Sequence, residues 1–281
     1  MLRIPVVAVI GWKKSGKTTL IKNLIRELRA RGFRVMSAKH VDIEGFTIDR
    51  EGTDTWWHSK AGANPVVCVS NSEIAIIYKN ETTDFKIEKL ARYAGEADVI
   101  LMEGFSRWTL TDESIAKIVM LRKKYEREEY SKRIKGPILC FCSYFLDQDE
   151  GDILNATRDF DKIVKKIEDF INEKKELYAI LERLPGLDCG RCPYRTCLGL
   201  AKAVQKGEAS IENCTVEAHR RKLKSSVLVN GKNVPMIPYI SELIRRTVLA
   251  MISTLKGTDI EGNEYVQVRI LKKPFKDLED K

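Results

Sequence analysis

The chain has 281 residues, of which 43% are hydrophobic and 32% are charged. These proportions are typical of a folded globular protein and exclude a disordered or fibrous one. No stretch of sequence approaches the ~18 uninterrupted apolar residues that a membrane span needs. The apolar run over residues 4–12 ends at Lys13 without the small-residue cleavage pattern of a signal peptide. We therefore expect a cytoplasmic protein with no membrane partner.

The net charge is +9, from 49 basic and 40 acidic residues, and the excess is spread along the chain. This spread argues against nucleic acid as the partner, because phosphate binding along a strand needs a concentrated basic patch. One local group of cations, over residues 219–224, is expected to be a solvated helix face.

Short β-branched runs alternate with helical patterns over the first 145 residues. The strand candidates are residues 4–10, 35–39, 65–69, 74–78, 99–102, 115–121 and 137–142, and the helix candidates are residues 19–31, 53–61 and 84–95. Several runs are apolar throughout, as in strands covered on both faces. The alternation predicts an α/β domain with a mostly parallel sheet, which becomes mixed if 65–69 and 74–78 pair within it as a hairpin.

A strong helical periodicity begins at residue 157 and weakens over residues 172–176. We place a domain boundary there, so that residues 1–172 form the first domain. Residues 173–218 are expected to hold a linker helix and a small cysteine-rich domain, and residues 219–281 a small C-terminal segment.

The C-terminal segment is expected to be a small α+β unit. Asn230-Gly231 is a two-residue turn signal between apolar runs at 227–229 and 234–236, and it predicts a hairpin. A helix over residues 237–255 and a closing strand over residues 265–271 complete the predicted unit.

Residues 11–18, Gly-Trp-Lys-Lys-Ser-Gly-Lys-Thr, match the phosphate-binding loop G-x-x-x-x-G-K-[ST] at every fixed position. A predicted strand ends at the first glycine and a predicted helix opens at Thr18 or Thr19, which is the context that this motif needs. Backbone N–H groups of such a loop form an anion nest, the lysine reaches the β and γ oxygens, and the hydroxyl can bind Mg²⁺. The expected nucleotide contacts are Gly11, Lys14, Ser15, Gly16, Lys17, Thr18 and Thr19.

A carboxylate near the metal is also expected, usually at the end of a neighbouring strand. Glu103 follows the apolar run 99–102 and is the first candidate to hold Mg²⁺, directly or through water. Together with Lys17 it forms the expected catalytic pair, whereas Asp98 is expected to cap the start of that strand.

The loop after the second predicted strand supplies further candidates. Polar loops at the carboxyl end of a parallel sheet face the ligand crevice, so Lys39, His40 and Asp49 are expected nucleotide contacts. The chain has no Asn-Lys-x-Asp guanine motif, and these residues leave GTP and ATP open.

Seven cysteines in a cytoplasmic chain do not indicate a disulfide framework. Cys68, Cys140 and Cys142 lie in apolar runs and are expected to be buried thiols. The other four are Cys189, Cys192, Cys197 and Cys214, with the spacing C-x₂-C-x₄-C-x₁₆-C. Three thiolates on one short loop and a fourth after a helix favour a [4Fe–4S] cluster. Structural zinc, which more often uses two C-x-x-C or C-x-x-H pairs, is the alternative.

Further motifs follow the phosphate-binding loop in order: Lys39-His40, Asp49 with Gly52 and Asp54, Lys60-Ala61-Gly62-Ala63, Glu103-Gly104-Phe105 and Ile115-Ala116-Lys117-Ile118. With this ordered set, residues 1–172 resemble the MobB family of molybdopterin-guanine dinucleotide biosynthesis adaptor proteins. The resemblance implies a GTP-binding P-loop homodimer with weak hydrolysis, which assists the guanylyltransferase that joins GMP to molybdopterin in molybdenum or tungsten cofactor synthesis. Molybdopterin and molybdoenzymes are further partners that it implies.

The chain departs from the short form of that family by continuing through residues 173–281. Within this extension, residues 184–214 resemble the small iron–sulfur domain of corrinoid iron–sulfur proteins. Two other functions stay open from the residues alone. One is a small-molecule kinase whose loop between Lys39 and Asp54 holds the acceptor, and the other is a nucleotide-dependent redox-sensing adaptor whose cluster gates partner binding.

Overall fold

The computed structural model describes residues 3–79, 85–146, 152–220, 225–234, 236–257 and 266–268. The chain divides into two compact units, Met1–Ala179 and Ile180–Lys281. Among the described residues, no helix combines the length and the apolar character that crossing a bilayer would require.

The first unit is built on a six-stranded sheet. Its strands and those of a separate hairpin are β1 (Val6–Gly11), β2 (Val35–Lys39), β3 (Val66–Val69), β4 (Ile74–Ile77), β5 (Val99–Glu103), β6 (Ala116–Met120), β7 (Ile138–Ser143) and β8 (Ile153–Asn155). The sheet has the order β2-β5-β1-β6-β7-β8, and every pair in it is parallel. The strand order runs in opposite directions on the two sides of β1, so ligands are expected at the carboxyl end of β1.

Helices cover both faces of this sheet, which is why its central strands are apolar throughout. The helices of the first unit are α1 (Lys17–Ala30), α2 (Asp54–Lys60), a 3-10 helix (Ile87–Tyr93), α3 (Ser106–Thr109), α4 (Tyr125–Arg133) and α5 (Phe160–Glu182), of which α2 lies against the hairpin strand β3 and buries no residue. Alternate residues of β1 point to opposite faces: Val7 and Val9 join the core with Leu24 of α1 and Ile163 of α5. Val6, Ala8 and Ile10 join the second core on the other face.

The predicted hairpin is confirmed, with β3 and β4 antiparallel. It forms a two-stranded sheet of its own, however, and the six-stranded sheet is wholly parallel rather than mixed. Because the hairpin is separate from the covered sheet, Cys68 on β3 is exposed, and the prediction of a buried thiol is wrong at this position. It is confirmed for Cys140 and Cys142 on β7.

Two charged side chains fix the amino-terminal ends of β5 and β6. Asp98, which precedes β5, accepts the backbone N–H of Arg34, which precedes the neighbouring β2, at 2.8 Å and lies 2.7 Å from the Lys175 ammonium, so it ties together the starts of two strands. Burial raises the pKa of Asp98, but these hydrogen bonds outweigh burial and lower it to about 2. Lys117 is fully buried, and its ammonium donates to the carbonyls of Asp112 and Lys135, each at 2.5 Å.

The helix α5 runs through residues 172–176, where the apolar periodicity weakens, and the two units divide after Ala179. The second unit contains α6 (Cys197–Gln205), a 3-10 helix (Ile211–Asn213), α7 (Thr215–Arg220), β9 (Leu228–Val229), β10 (Lys232–Asn233) and α8 (Pro238–Ile252).

The predicted C-terminal hairpin and helix are confirmed. Strands β9 and β10 pair antiparallel across Asn230 and Gly231, whose φ values of 50° and 74° are those of a two-residue hairpin turn. The predicted closing strand lies mostly outside the described residues, and residues 266–268 carry neither helix nor strand. Residues 221–224 of the cationic group also lie outside them.

Candidate functional site

The loop between β1 and α1 requires glycine at two positions. A Cβ on Gly11 would overlap the carbonyl oxygen of Met120, at the end of the neighbouring β6. Gly16 has φ 91°, a conformation that L side chains rarely adopt, and a Cβ there would lie 2.5 Å from the Tyr144 ring. The two glycines therefore let the loop turn tightly against β6 and β7.

Three side chains of this loop suit a bound triphosphate. The Lys17 ammonium donates to the carbonyl oxygen of Trp12 at 2.6 Å, and burial lowers its pKa while Glu103 raises it. Ser15 is fully buried, and its hydroxyl has no hydrogen-bond partner among the described residues. Lys14 is exposed and adopts a left-handed backbone with φ 62°. A buried hydroxyl without a described partner, in the same loop as two lysine ammonium groups, fits a phosphate ligand.

The predicted carboxylate lies next to the loop. Glu103 ends β5 and is paired in register with Val9 of β1. The Thr18 hydroxyl donates to its Oε1 at 2.6 Å, and the Lys39 ammonium lies 3.4 Å from the same oxygen. A hydroxyl and a carboxylate oxygen side by side are the hard oxygen ligands that Mg²⁺ prefers. The structure thus gathers Thr18, Lys39 and Glu103, and the oxygen atoms of Thr18 and Glu103 suit this cation.

The other two candidates on this side of the sheet have contacts of their own. His40 donates its backbone N–H to the Glu103 carbonyl at 2.9 Å, and its ring lies 4.9 Å from the Trp108 ring. Asp49 is buried, and its Oδ1 accepts hydrogen bonds from the hydroxyls of Thr53 and Thr55 at 3.3 and 2.8 Å. These bonds tie the loop after β2 to the start of α2. A nucleotide contact by Asp49 stays a prediction.

Two residues missed from the sequence also touch the phosphate-binding loop. Tyr144 follows β7 and packs on Gly16, as described above, and Arg122 follows β6 and donates from its guanidinium to the carbonyl oxygen of Lys13 at 3.5 Å. No motif marks either residue. Only their position could have identified them as site residues, since each follows a strand that lies on the opposite side of β1 from β5 in the sheet order.

The cysteine segment has an irregular loop followed by helices. Gly186, Asp188, Gly190 and Arg195 all have positive φ, so the loop turns sharply several times. The backbone N–H of Cys197 donates to the Asp188 carboxylate at 2.6 Å. That N–H group is therefore bonded to a side chain of the preceding loop.

The structure does not gather the four cysteines around one point. Cys197 and Cys214 are buried at or beside helix starts, whereas Cys189 is exposed and Cys192 is half-buried on the loop. Within the part of the chain that is described, no three His, Cys, Asp or Glu side chains are grouped so that they could hold a metal ion. The kind and number of ligands suit an iron–sulfur cluster, but their described arrangement does not.

Comparisons with known proteins match both parts of the chain. The family model for MobB, "Molybdopterin guanine dinucleotide synthesis protein B", matches residues 6–143. A second family model, "Putative Fe-S cluster", matches residues 184–216.

A full-length relative is the "Putative molybdopterin-guanine dinucleotide biosynthesis adapter protein" of Methanocaldococcus jannaschii. It is 30% identical over 272 residues, which cover 95% of this chain and 98% of that protein. The "Molybdopterin-guanine dinucleotide biosynthesis adapter protein" of Escherichia coli is 35% identical over 122 residues, or 42% of this chain and 66% of that protein. The crystal structure of Bacillus subtilis MobB covers 59% of this chain and 98% of its own, at 21% identity and a TM-score of 0.46.

Proposed function

The chain belongs to the MobB family of molybdopterin-guanine dinucleotide biosynthesis adapter proteins, and on this premise we propose that it binds GTP with Mg²⁺. In that state it assists the guanylyltransferase that joins GMP to molybdopterin. The observation that carries the proposal is the 2.6 Å contact between the Thr18 hydroxyl and Glu103. It brings together two oxygen atoms that suit Mg²⁺ beside the loop, although the two residues are 85 positions apart in sequence, and this supports the proposal.

The residues of the loop have separate parts in binding. Lys17 exchanges the Trp12 carbonyl for phosphate oxygens, and backbone N–H groups of the loop donate to the same phosphates. Thr18 and Glu103 hold Mg²⁺, directly or through water, and the ion neutralises charge on the phosphates. Lys39 adds a second cation beside the carboxylate.

We expect hydrolysis to be slow. A general base must be free to take a proton from the attacking water. Glu103, the carboxylate beside the loop, would be engaged with Mg²⁺ and faces the Lys39 ammonium, so it is not free to act as that base. Slow turnover suits an adapter, because the partner then meets a long-lived nucleotide-bound state.

Calorimetric titration of GTP and ATP with Mg²⁺ into anaerobic protein of measured iron content tests nucleotide binding. Lys17→Ala should abolish binding, because it removes the cation that the loop directs at the phosphates. Lys22→Ala, which removes an exposed cation one helical turn further along α1, should change nothing. Unchanged GTP affinity in Lys17→Ala would defeat the proposal.

The accessory role is tested in a guanylyltransferase reaction reconstituted with molybdopterin. Wild-type protein should increase formation of the guanine dinucleotide, and Lys17→Ala should not. Steady phosphoryl transfer from GTP to a small acceptor, with no effect on the guanylyltransferase, would instead favour the kinase.

We also propose that Cys189, Cys192, Cys197 and Cys214 bind a [4Fe–4S] cluster, supported by the family match at residues 184–216 and by the cysteine spacing. Because metal binding can drive the folding of its own site, the exposed loop is expected to close when the cluster forms. Iron and sulfide analysis of anaerobic protein should find the cluster. Cys192→Ser should lose iron while Cys68→Ser, at an exposed thiol of the first unit, retains it. Stoichiometric zinc without iron would select the zinc alternative.

Finally, we propose a homodimer that forms through the β3–β4 hairpin. Its cross-strand pairs Val67–Ile76 and Val69–Ile74 share one face, and each of these side chains is at least half exposed. A two-stranded sheet is marginal by itself, so covering this face would stabilise it. Light scattering should show a dimer that Val69→Asp dissociates, whereas Val229→Asp, on the other exposed hairpin, should leave it intact. A dimer in both variants would refute this interface.

A further inference from the structure

The direction of a bound nucleotide follows from the sheet order. Thr18 and Glu103 would hold the Mg²⁺ that neutralises the terminal phosphates of a bound nucleotide. Glu103 ends β5, which lies on one side of β1, whereas β6 and β7 lie on the other. With the terminal phosphates on the β5 side, the nucleoside leaves the loop on the side of β6 and β7.

The end of β7 reaches the phosphate-binding loop on that side. Tyr144 directly follows β7, and two of its ring carbons would lie 2.5 and 2.8 Å from a Cβ on Gly16. The ring therefore packs directly on the loop backbone. The residue that follows Tyr144 is therefore the direct chain neighbour of a ring that packs on the loop, on the side where the nucleoside would emerge.

That residue, Phe145, is an exposed ring on a fixed backbone. The buried Ser143 hydroxyl donates to the carbonyl of Leu121 at 2.8 Å and accepts the N–H groups of Phe145 and Leu146 at 3.0 and 3.1 Å. The Phe145 side chain is nonetheless 62% exposed, and it makes no aromatic or cation–π contact with any described residue. A turn held by three hydrogen bonds of Ser143 thus presents an aromatic ring that is mostly exposed.

We propose that Phe145 is the platform on which the base of the bound nucleoside triphosphate stacks, with Tyr144 setting its position relative to the loop. This inference rests on the proposed nucleotide binding. Aromatic rings stack on every base, since each base has a π-face. The platform therefore adds affinity for GTP and ATP alike and does not choose between them.

The experiment compares two probes, GTP and inorganic tripolyphosphate, each titrated with Mg²⁺ into the full-length protein. Tripolyphosphate engages the loop but has no base. Phe145→Ala should weaken GTP and ATP binding about tenfold and leave tripolyphosphate binding unchanged. Phe145→Trp should retain GTP affinity. Tyr93→Ala, which removes another exposed ring of the same unit, should change the affinity for neither GTP nor tripolyphosphate.

The outcomes separate this inference from the function on which it rests. Wild-type protein that binds neither probe would overturn the nucleotide-binding proposal and this one together. Wild-type protein that binds both, with undiminished GTP affinity in Phe145→Ala, would overturn only the platform. An equal loss of affinity for GTP and for tripolyphosphate in Phe145→Ala would also overturn it, because the ring would then support the loop rather than the base.

Discussion

Replacing Glu103 by glutamine tests the carboxylate assignment with little change in side-chain shape. In the wild type, Glu103 Oε1 accepts the Thr18 hydroxyl at 2.6 Å and lies 3.4 Å from the Lys39 ammonium, while the side chain is 12% exposed. Glutamine can still accept a hydrogen bond from Thr18 through its amide oxygen. The substitution therefore removes one negative charge from a nearly buried position and leaves the packing in place.

The size of the effect differs between the free protein and the Mg²⁺ complex. In the free protein, a charge-assisted hydrogen bond becomes a neutral one, which lowers the free energy of unfolding by about 1 kcal/mol. In the complex, the substitution replaces a charged carboxylate that would face the divalent cation with a neutral amide, which weakens Mg²⁺ binding. Changes in the shell around a metal typically cost on the order of 10–100-fold in affinity, which corresponds to about 1.4–2.8 kcal/mol.

The assay is the dependence of GTP affinity on free Mg²⁺. We expect the Mg²⁺ midpoint of Glu103→Gln to rise on the order of 10–100-fold, while GTP binding without Mg²⁺ is retained or improved, because the carboxylate no longer repels phosphate. Glu88→Gln, at an exposed carboxylate on the 3-10 helix, is the matched control. A wild-type Mg²⁺ midpoint in a folded Glu103→Gln variant would refute the assignment of this residue to the metal.

Three further predictions concern the loop and the charged groups at the other end of the sheet. Gly16→Ala should abolish nucleotide binding in the same calorimetric titration, because the new Cβ meets the Tyr144 ring. Gly32→Ala, at a similar positive φ but in open space, should only destabilise the fold, by about 1–2 kcal/mol. Burial lowers the pKa of Lys117 to about 8 from 10.5, so the unfolded chain binds more protons between these pH values. Urea unfolding should therefore show wild-type stability rising across that window by up to about 3 kcal/mol relative to Lys117→Met, and parallel pH profiles would contradict this. The depressed pKa of Asp98 stabilises the fold above its ordinary value of 3.8, and this contribution is lost as the pH falls through about 2. Asp98→Asn should thus cost about 2 kcal/mol at neutral pH and almost nothing near pH 2, and a difference independent of pH would exclude this origin.

The sequence by itself determined the features that are local in the chain. The strand, loop and helix of the phosphate-binding site are contiguous, so the motif could be recognised from the sequence, although the close contacts of Gly11 and Gly16 are with β6 and with the Tyr144 ring. The Asn230-Gly231 turn and the periodicity of α1 and α5 are equally local, and the structure bears them out. Glu103 could be found because it ends a fully apolar run, which predicts a buried strand wherever that strand lies in the sheet.

Only the tertiary structure decided which strand ends meet. The pairing of parallel strands depends on backbone hydrogen bonds and on core packing between distant segments. Neither interaction produces a sequence motif that could be recognised from residue spacing. The position of Tyr144 beside the loop, the separation of the β3–β4 hairpin from the main sheet, and the exposure of Cys68 all follow from that pairing. The cysteine spacing likewise predicts the type of metal site. The distances between the four thiols, however, depend on how the loop folds in space.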